Sequence, residues 1–306
     1  MTTTLGVLLA FSCALVWVTA DGLRKHITSQ FDAVELGVCL HGLQVPFLAV
    51  LLTVPWVLPN SEWSATAFSL EFQSGYWLPA IPTLLCNAVA NVLFLRALQL
   101  SDLSLSIPYL SLTPVFAMLT GWLVVGEVPT TLGLTGVMII GFGALVLNPG
   151  KSSTGRFQPI QTLLDEKGSL AMLGVAALWS LAVAFDKAAV HQSSPLAHAM
   201  TLAVSGTIIL EMWRRRTPSR AFIARIRNGW RLVAVTAAII TAGMLLQLAA
   251  YAYIEVAYVE AIKRSMGLVG SVAVGWLFFR ERHLSQRLLG VSVMAVGVCF
   301  ILFATP

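Results

Sequence analysis

The sequence predicts an all-α integral membrane protein of about ten transmembrane helices, arranged as two inverted five-helix repeats. Three observations carry this. The 306 residues are 57% hydrophobic and 11% charged, with a mean hydropathy of +0.82, whereas soluble domains carry about 25% charged residues. Long apolar runs occupy most of the chain. A tryptophan-glutamate block recurs at a fixed offset.

The runs fall at roughly 4–24, 33–58, 75–97, 103–125, 129–147, 169–189, 195–213, 231–253, 256–279 and 285–304. A helix needs about 20 apolar residues to cross the hydrocarbon core. Backbone groups in lipid restrict spans to helices or closed barrels, and runs this continuous do not fit the alternation of barrel strands. The first run lacks the basic leader of a signal peptide and is expected to be a retained helix. The fourth holds Pro108 and Pro114, which are expected to bend it and free backbone carbonyls. Residues 149–168 form the one long polar connection, with Pro149, Pro159 and three glycines in the stretch from Asn148 to Ser169. It reads as a linker between a first repeat (1–148) and a second (169–306). Its Gly150-Lys151-Ser152 is not a phosphate-binding loop, because the first glycine of that motif would fall on Leu145.

Gly121-Trp122-Leu123 followed by Glu127 recurs as Gly275-Trp276-Leu277 followed by Glu281, a shift of 281 − 127 = 154 positions. The same shift places Gly136 on Gly290 and Gly143 on Gly297. Earlier in each half, Ala14-Leu15-Val16-Trp17 matches Ala176-Ala177-Leu178-Trp179, and Lys25 matches Lys187. Five helices per repeat force the halves into opposite orientations, with a substrate site expected near the midplane between them.

Charge is distributed accordingly. The connection between the second and third runs carries Glu62 and Glu71 and no base, whereas its counterpart carries Arg214, Arg215, Arg216, Arg220, Arg225, Arg227 and Arg231. Bases also follow runs one, five and nine, as Arg24 and Lys25, then Lys151, Arg156 and Lys167, then Arg280, Arg282 and Arg287. The positive-inside bias puts these connections in the cytoplasm and both termini outside, and a bacterial inner membrane is the expected location. The net charge of +5 is therefore a topology signal, and no nucleic-acid partner is expected. Cys13, Cys39, Cys86 and Cys299 lie in apolar runs without CxxC spacing and read as free thiols. The five histidines (His26, His41, His191, His198, His283) have no metal-binding spacing, so no metal or cofactor is expected.

Two five-helix halves, each closing with Gly-Trp-Leu-x-x-x-Glu, a short turn and a glycine-rich final helix, resemble the drug/metabolite transporter superfamily. The EamA-like ten-helix exporters are the most similar group. The strongest stretches are 123–147 and 252–302. The resemblance implies alternating access around a central cavity lined mainly by helices 1, 3, 4, 6, 8 and 9. It does not specify the substrate. Members of the family usually keep both termini in the cytoplasm, opposite to the assignment from charge.

Glu260, Lys263 and Arg264 are the most informative cluster, because ionisable side chains within a span are costly and usually face a wet cavity or a partner. Glu260 precedes the two bases by three and four residues, so all three could form one intrahelical salt bridge. That still leaves one positive charge over, which favours an anion site. The sugar-phosphate/phosphate translocators of the superfamily carry a similar Lys-Arg doublet; a carboxylate substrate fits as well as a phosphate. Tyr109 aligns with Lys263 (109 + 154) and would face the same cavity. Asn87 and Asn91 share one face of the third helix, for interhelical hydrogen bonding or for cavity lining. Trp17 and Trp179 are packing residues or flat surfaces for a substrate, with Tyr251 and Tyr253 weaker candidates of the same kind. Asp21 with Lys25, and Asp186 with Lys187, are gate ion pairs or snorkelling end-charges. Glu260 is the best-placed carboxylate for proton coupling.

The expected function is secondary transport of a small organic solute, with an anionic group, through the lipid bilayer. The alternatives are a lipid-linked flippase, a non-transporting scaffold or sensor, and a membrane-embedded enzyme, the last disfavoured by the scattered histidines. The sequence carries no signal for oligomeric state.

Overall fold

A computed structural model describes residues 2–54, 69–100, 109–110, 112–147, 167–216, 222–279 and 284–304. Among these, ten named helices follow one another: α1 (Thr2–Ile27), α2 (Ala33–Leu51), α3 (Trp77–Leu100), α4 (Thr113–Val125), α5 (Thr131–Leu147), α6 (Lys167–Val190), α7 (Pro195–Arg214), α8 (Phe222–Tyr251), α9 (Val256–Phe279) and α10 (Leu284–Ala304). Six of them, α1, α2, α3, α6, α7 and α8, have the length and hydropathy to cross a bilayer by themselves. The protein is an all-α, multi-pass membrane protein.

Local chemistry sets several boundaries. The Asp32 side chain accepts from Val34 N at 3.0 Å and starts α2. Ser194 accepts from Ala197 N at 3.0 Å, and Pro195 opens α7 without forfeiting a needed donor. Gly126, at φ +75°, closes α4 in the left-handed conformation that lets its N–H return to Trp122 O. Pro114 lies in the first turn of α4, where it forfeits no needed donor; Pro108 and most of the run before α4 lie outside the described residues. One expectation changes. α8 begins at Phe222, about two turns before the apolar run, because its arginine-rich first turns pack on the start of α2, where Arg225 pairs with Glu35. The expected linker lies outside the described residues except for Lys167 and Gly168, as do Glu62, Arg220, Arg280, Arg282 and Glu281.

Counterpart helices face each other in antiparallel pairs. In α2 and α7, Gly37 meets Leu210 and His41 meets Gly206. In α5 and α10, Gly136 meets Ile301 and Ile140 meets Gly297. Exchanging the halves turns the α3–α6 contact into α8–α1, α4–α6 into α9–α1, and α2–α8 into α7–α3, and all six contacts occur. The repeats are inverted. At the α5–α10 crossing, a Cβ on either Gly136 or Gly297 would stand 2.7 Å from the other's carbonyl oxygen, so the close backbone approach requires glycine at both positions.

The two ends of the bundle differ. One, the basic face, gathers the end of α1, the starts of α2 and α8 and the end of α3. The other, the acidic face, gathers the end of α6, the turn after α4 and the turn between α8 and α9.

Candidate functional site

At mid-bundle, α9 presents Glu260, Lys263 and Arg264 to α1, α6 and α8. Glu260 is fully buried and Lys263 is 9% exposed. Lys263 Nζ donates to Glu260 Oε1 and, at 2.9 Å, to Gln247 Oε1. Tyr251 donates to the same Glu260 oxygen at 3.1 Å and accepts from Gln247 Nε2 at 2.7 Å. Arg264 Nη2 lies 3.6 Å from Glu260 Oε2. Both bases thus share one carboxylate, as the i, i+3, i+4 spacing allows. They also separate onto the two repeat-matched tryptophans, with Lys263 Nζ 5.7 Å from the centre of the Trp17 ring and Arg264 Cζ 5.3 Å from that of Trp179.

A third cation joins them that the sequence had marked only for topology. Arg24, 5% exposed, stacks 5.0 Å from the Trp17 ring centre and 5.7 Å from that of Phe94. It is seven residues after Trp17, two helical turns on the same face of α1, and that register was the available signal. Its carboxylate partner is Asp21, at 3.3 Å. Three cations therefore face two carboxylates. Among the described residues, the buried Nε–H groups of Arg24 and Arg264 have no hydrogen-bond acceptor. Buried donors are nearly always satisfied. Tyr109 packs into the same apolar cluster as Trp17, Trp179 and Phe94. Tyr253 lies elsewhere, against Gly6 near the start of α1.

A second polar cluster ties α3, α6 and α7 together near the acidic face. Asp186 Oδ1 is 3.0 Å from His198 Nε2 and accepts from the Thr83 hydroxyl. His198 Nδ1 is 2.9 Å from the Tyr76 hydroxyl. Asn87 Nδ2 donates to Thr83 Oγ1 at 3.1 Å, and Asn91 Nδ2 donates to the Asn87 carbonyl at 2.8 Å. The two asparagines thus form an intrahelical ladder. Sequence reasoning placed Asp186 at a gate and missed His198, Tyr76 and Thr83. Only a short turn separates the end of α6 from the start of α7, so Asp186 and His198, 12 residues apart, were candidates for contact across that hairpin.

The expected gate pairs take other partners. Asp21 pairs with Arg24, one turn away, while Lys25 Nζ donates to Leu98 O at the end of α3, at 2.7 Å. Asp186 turns to His198, and Lys187 Nζ bonds Glu127 Oε1 at 2.6 Å and Ile254 O at 2.8 Å. In each case a long lysine reaches an unsatisfied carbonyl at or just beyond the end of a neighbouring helix. Lys187 therefore clamps the first half, through Glu127, to the α8–α9 turn, where Glu127 Oε2 also accepts from Val256 N at 3.2 Å. Lys25 lines a cavity of about 580 Å³ on the basic face, together with Thr28, Asp32, Gln99 and Arg225.

Comparison with known proteins adds the lineage. The model of the EamA-like transporter family matches residues 4–148 and 166–303. No curated protein matches the sequence. Among 28 solved chains that do match, one crystal structure of a protein aligns with a TM-score of 0.69 at 12% identity, over 98% of this chain and 97% of that one. The likeness at that identity is one of fold.

Proposed function

Because the chain belongs to the EamA-like transporter family, we propose that it is a secondary transporter that carries a small organic anion across the membrane by alternating access. One observation carries the choice of an anion: among the described residues, Arg24, Lys263 and Arg264 share Asp21 and Glu260, and two buried guanidinium N–H groups meet no acceptor. A carboxylate or phosphate between α1 and α9 would balance the third positive charge and take up those donors. Guanidinium groups suit this role because they meet planar oxyanions with paired donors. Trp17 and Trp179 hold the bases in place and offer flat walls to the substrate's apolar part. Gln247 and Tyr251 orient Glu260, so that it neutralises two bases without occupying the space beside the third.

The difference between the two ends supports alternating access. The Lys187–Glu127 clamp ties the two halves together at the acidic face, while a cavity lies at the basic face beside Lys25 and Arg225. The positive-inside bias puts the basic face in the cytoplasm and both termini outside. The membrane is proposed to be a bacterial plasma membrane.

The test is a thermal-shift screen of purified protein against inorganic phosphate, glycerol phosphate, citrate and glutamate, repeated on Arg24→Ala, Lys263→Ala and Arg264→Ala. A ligand at about 100 times its dissociation constant stabilises the native state by about 2.7 kcal/mol. That stabilisation should appear in the wild type and disappear in the variants. An anion that stabilises all four proteins equally removes the three bases from the site.

A further inference from the structure

The Asp186–His198 cluster differs from the central site in one respect that decides its chemistry: its described hydrogen bonds can change direction around an added proton. With His198 neutral, Nε2–H donates to Asp186 and Nδ1 accepts from Tyr76. If Nδ1 takes up a proton, it becomes a donor to the Tyr76 oxygen. The other end has the same property. Thr83 has one hydroxyl proton and two acceptors in reach, Asp186 Oδ1 and, at 3.2 Å, Ala182 O. A proton on Asp186 would donate to Thr83, and the Thr83 proton would swing to Ala182 O. Unloaded, the pair carries one negative charge held by two donors; loaded, it is neutral. No covalent bond to a heavy atom changes.

We infer that the Asp186–His198 pair is a proton-binding site that couples the transport cycle to pH, its loading sensed by the adjacent Lys187 clamp. This rests on the transporter reading. Two features of placement support it. The network crosses the junction between halves, with Tyr76, Thr83 and Asn87 in the first and Asp186 and His198 in the second. Lys187 follows Asp186 directly in α6 and holds the two halves together through Glu127 and Ile254. Any shift of α6 on proton loading is transmitted to both contacts. Seven residues earlier on the same helix, about 10 Å along its axis, Trp179 supports Arg264. The proton site and the central bases are thus linked by one rigid element.

The remaining titratable groups near the pair are Lys187 and Glu127, already joined to each other, the Cys86 thiol, and the Tyr251 phenol of the central site. Burial pushes the Tyr76 phenol up to about 12, reinforced by the Asp186 carboxylate, so Tyr76 relays a proton without ionising. His191, in the α6–α7 turn, is held below the ordinary histidine range by burial and by Lys187.

The experiment needs no transported solute. Spin labels at the exposed positions Val128 and Ala252, in a background with the four native cysteines replaced, report by pulsed electron resonance on the α4–α5 and α8–α9 turns that Lys187 joins. In lipid nanodiscs the distance distribution should change between about pH 8 and pH 5. Asp186→Asn and His198→Gln should abolish the change. Tyr76→Phe keeps the pair but removes the acceptor for a charged Nδ1–H, and should lower the midpoint by about one pH unit. His191→Gln should leave the midpoint where it is. A wild-type distribution that ignores pH overturns the assignment, as does a change that survives both substitutions. Should Asp186→Asn or His198→Gln not fold, an unmoved midpoint in Tyr76→Phe overturns it equally. A failed anion screen leaves this result standing, and a lost pH response leaves the anion site standing.

Discussion

Two buried polar clusters sit in this bundle, one on α1, α8 and α9 and one on α3, α6 and α7, and they are satisfied in opposite ways. Around Trp17 and Trp179 the charges of the described residues do not balance: three bases meet two carboxylates and two guanidinium donors lack acceptors. Around Asp186 each described donor meets an acceptor, and the Thr83 hydroxyl has a second acceptor in reach. An unsatisfied cluster is incomplete without a ligand. A fully satisfied cluster whose hydrogen bonds can turn round has no need of a ligand larger than a proton. Polarity alone does not distinguish these roles; the pattern of unmet donors does.

The sharpest way to break this comparison is to remove the one carboxylate that holds two bases. Glu260→Ala leaves Lys263 and Arg264 buried against tryptophans with no countercharge, and uncompensated buried charge of this kind costs about 3–5 kcal/mol. Glu260→Gln keeps the hydrogen bonds to Tyr251 and Lys263 and should cost less, while the added net positive charge strengthens anion binding. Denaturant unfolding in mixed micelles, paired with the anion thermal-shift assay, reads both effects. If Glu260→Gln weakens binding, Glu260 contacts the substrate and the charge account of the site is wrong.

A smaller effect is expected from Thr83→Val, which is nearly isosteric. It removes one donor from Asp186 and the acceptor for Asn87 Nδ2. Leaving buried polar partners unmet costs about 1–3 kcal/mol. The stability loss should be larger at about pH 8 than at about pH 5, because the unloaded carboxylate is the state that needs the hydroxyl. Unfolding at the two pH values checks this; a loss independent of pH would mean that the network is static packing.

How much of this the sequence disclosed depended on whether a partner was local. The ten spans were legible because lipid allows few alternatives to apolar helices. The order of the halves was legible because Trp17 and Trp179, and Glu127 and Glu281, recur at near-constant offset. The Glu260–Lys263–Arg264 set was legible because helix geometry fixes neighbours three and four residues apart. Partners on other helices were not. Lys25 and Asp21 satisfy the same local rule, but Arg24 reaches the carboxylate and Lys25 extends to α3. Gln247 on α8 reaches Lys263 only through tertiary packing. The early start of α8 was hidden because hydropathy undervalues arginines that pair, as Arg225 does with Glu35.

The finest resolution of the comparison lies on α3, where Asn87 and Asn91 shared one role in the sequence and hold different ones in the structure. Asn87 gives its amide to the Thr83 hydroxyl and so belongs to the reversible network; Asn91 gives its amide to a main-chain carbonyl one turn away and touches no group that changes its proton. Asn91→Ala should therefore cost about 0.5–1.5 kcal/mol, the net worth of one ordinary intramolecular hydrogen bond, with no shift in the pH midpoint of the Val128–Ala252 distance. Asn87→Ala removes a donor that helps to fix which acceptor the Thr83 proton chooses, so the midpoint must move. If the two substitutions behave alike, whether both shift the midpoint or neither does, the boundary of the proton site does not fall between residues 87 and 91, and the ladder acts as a single unit.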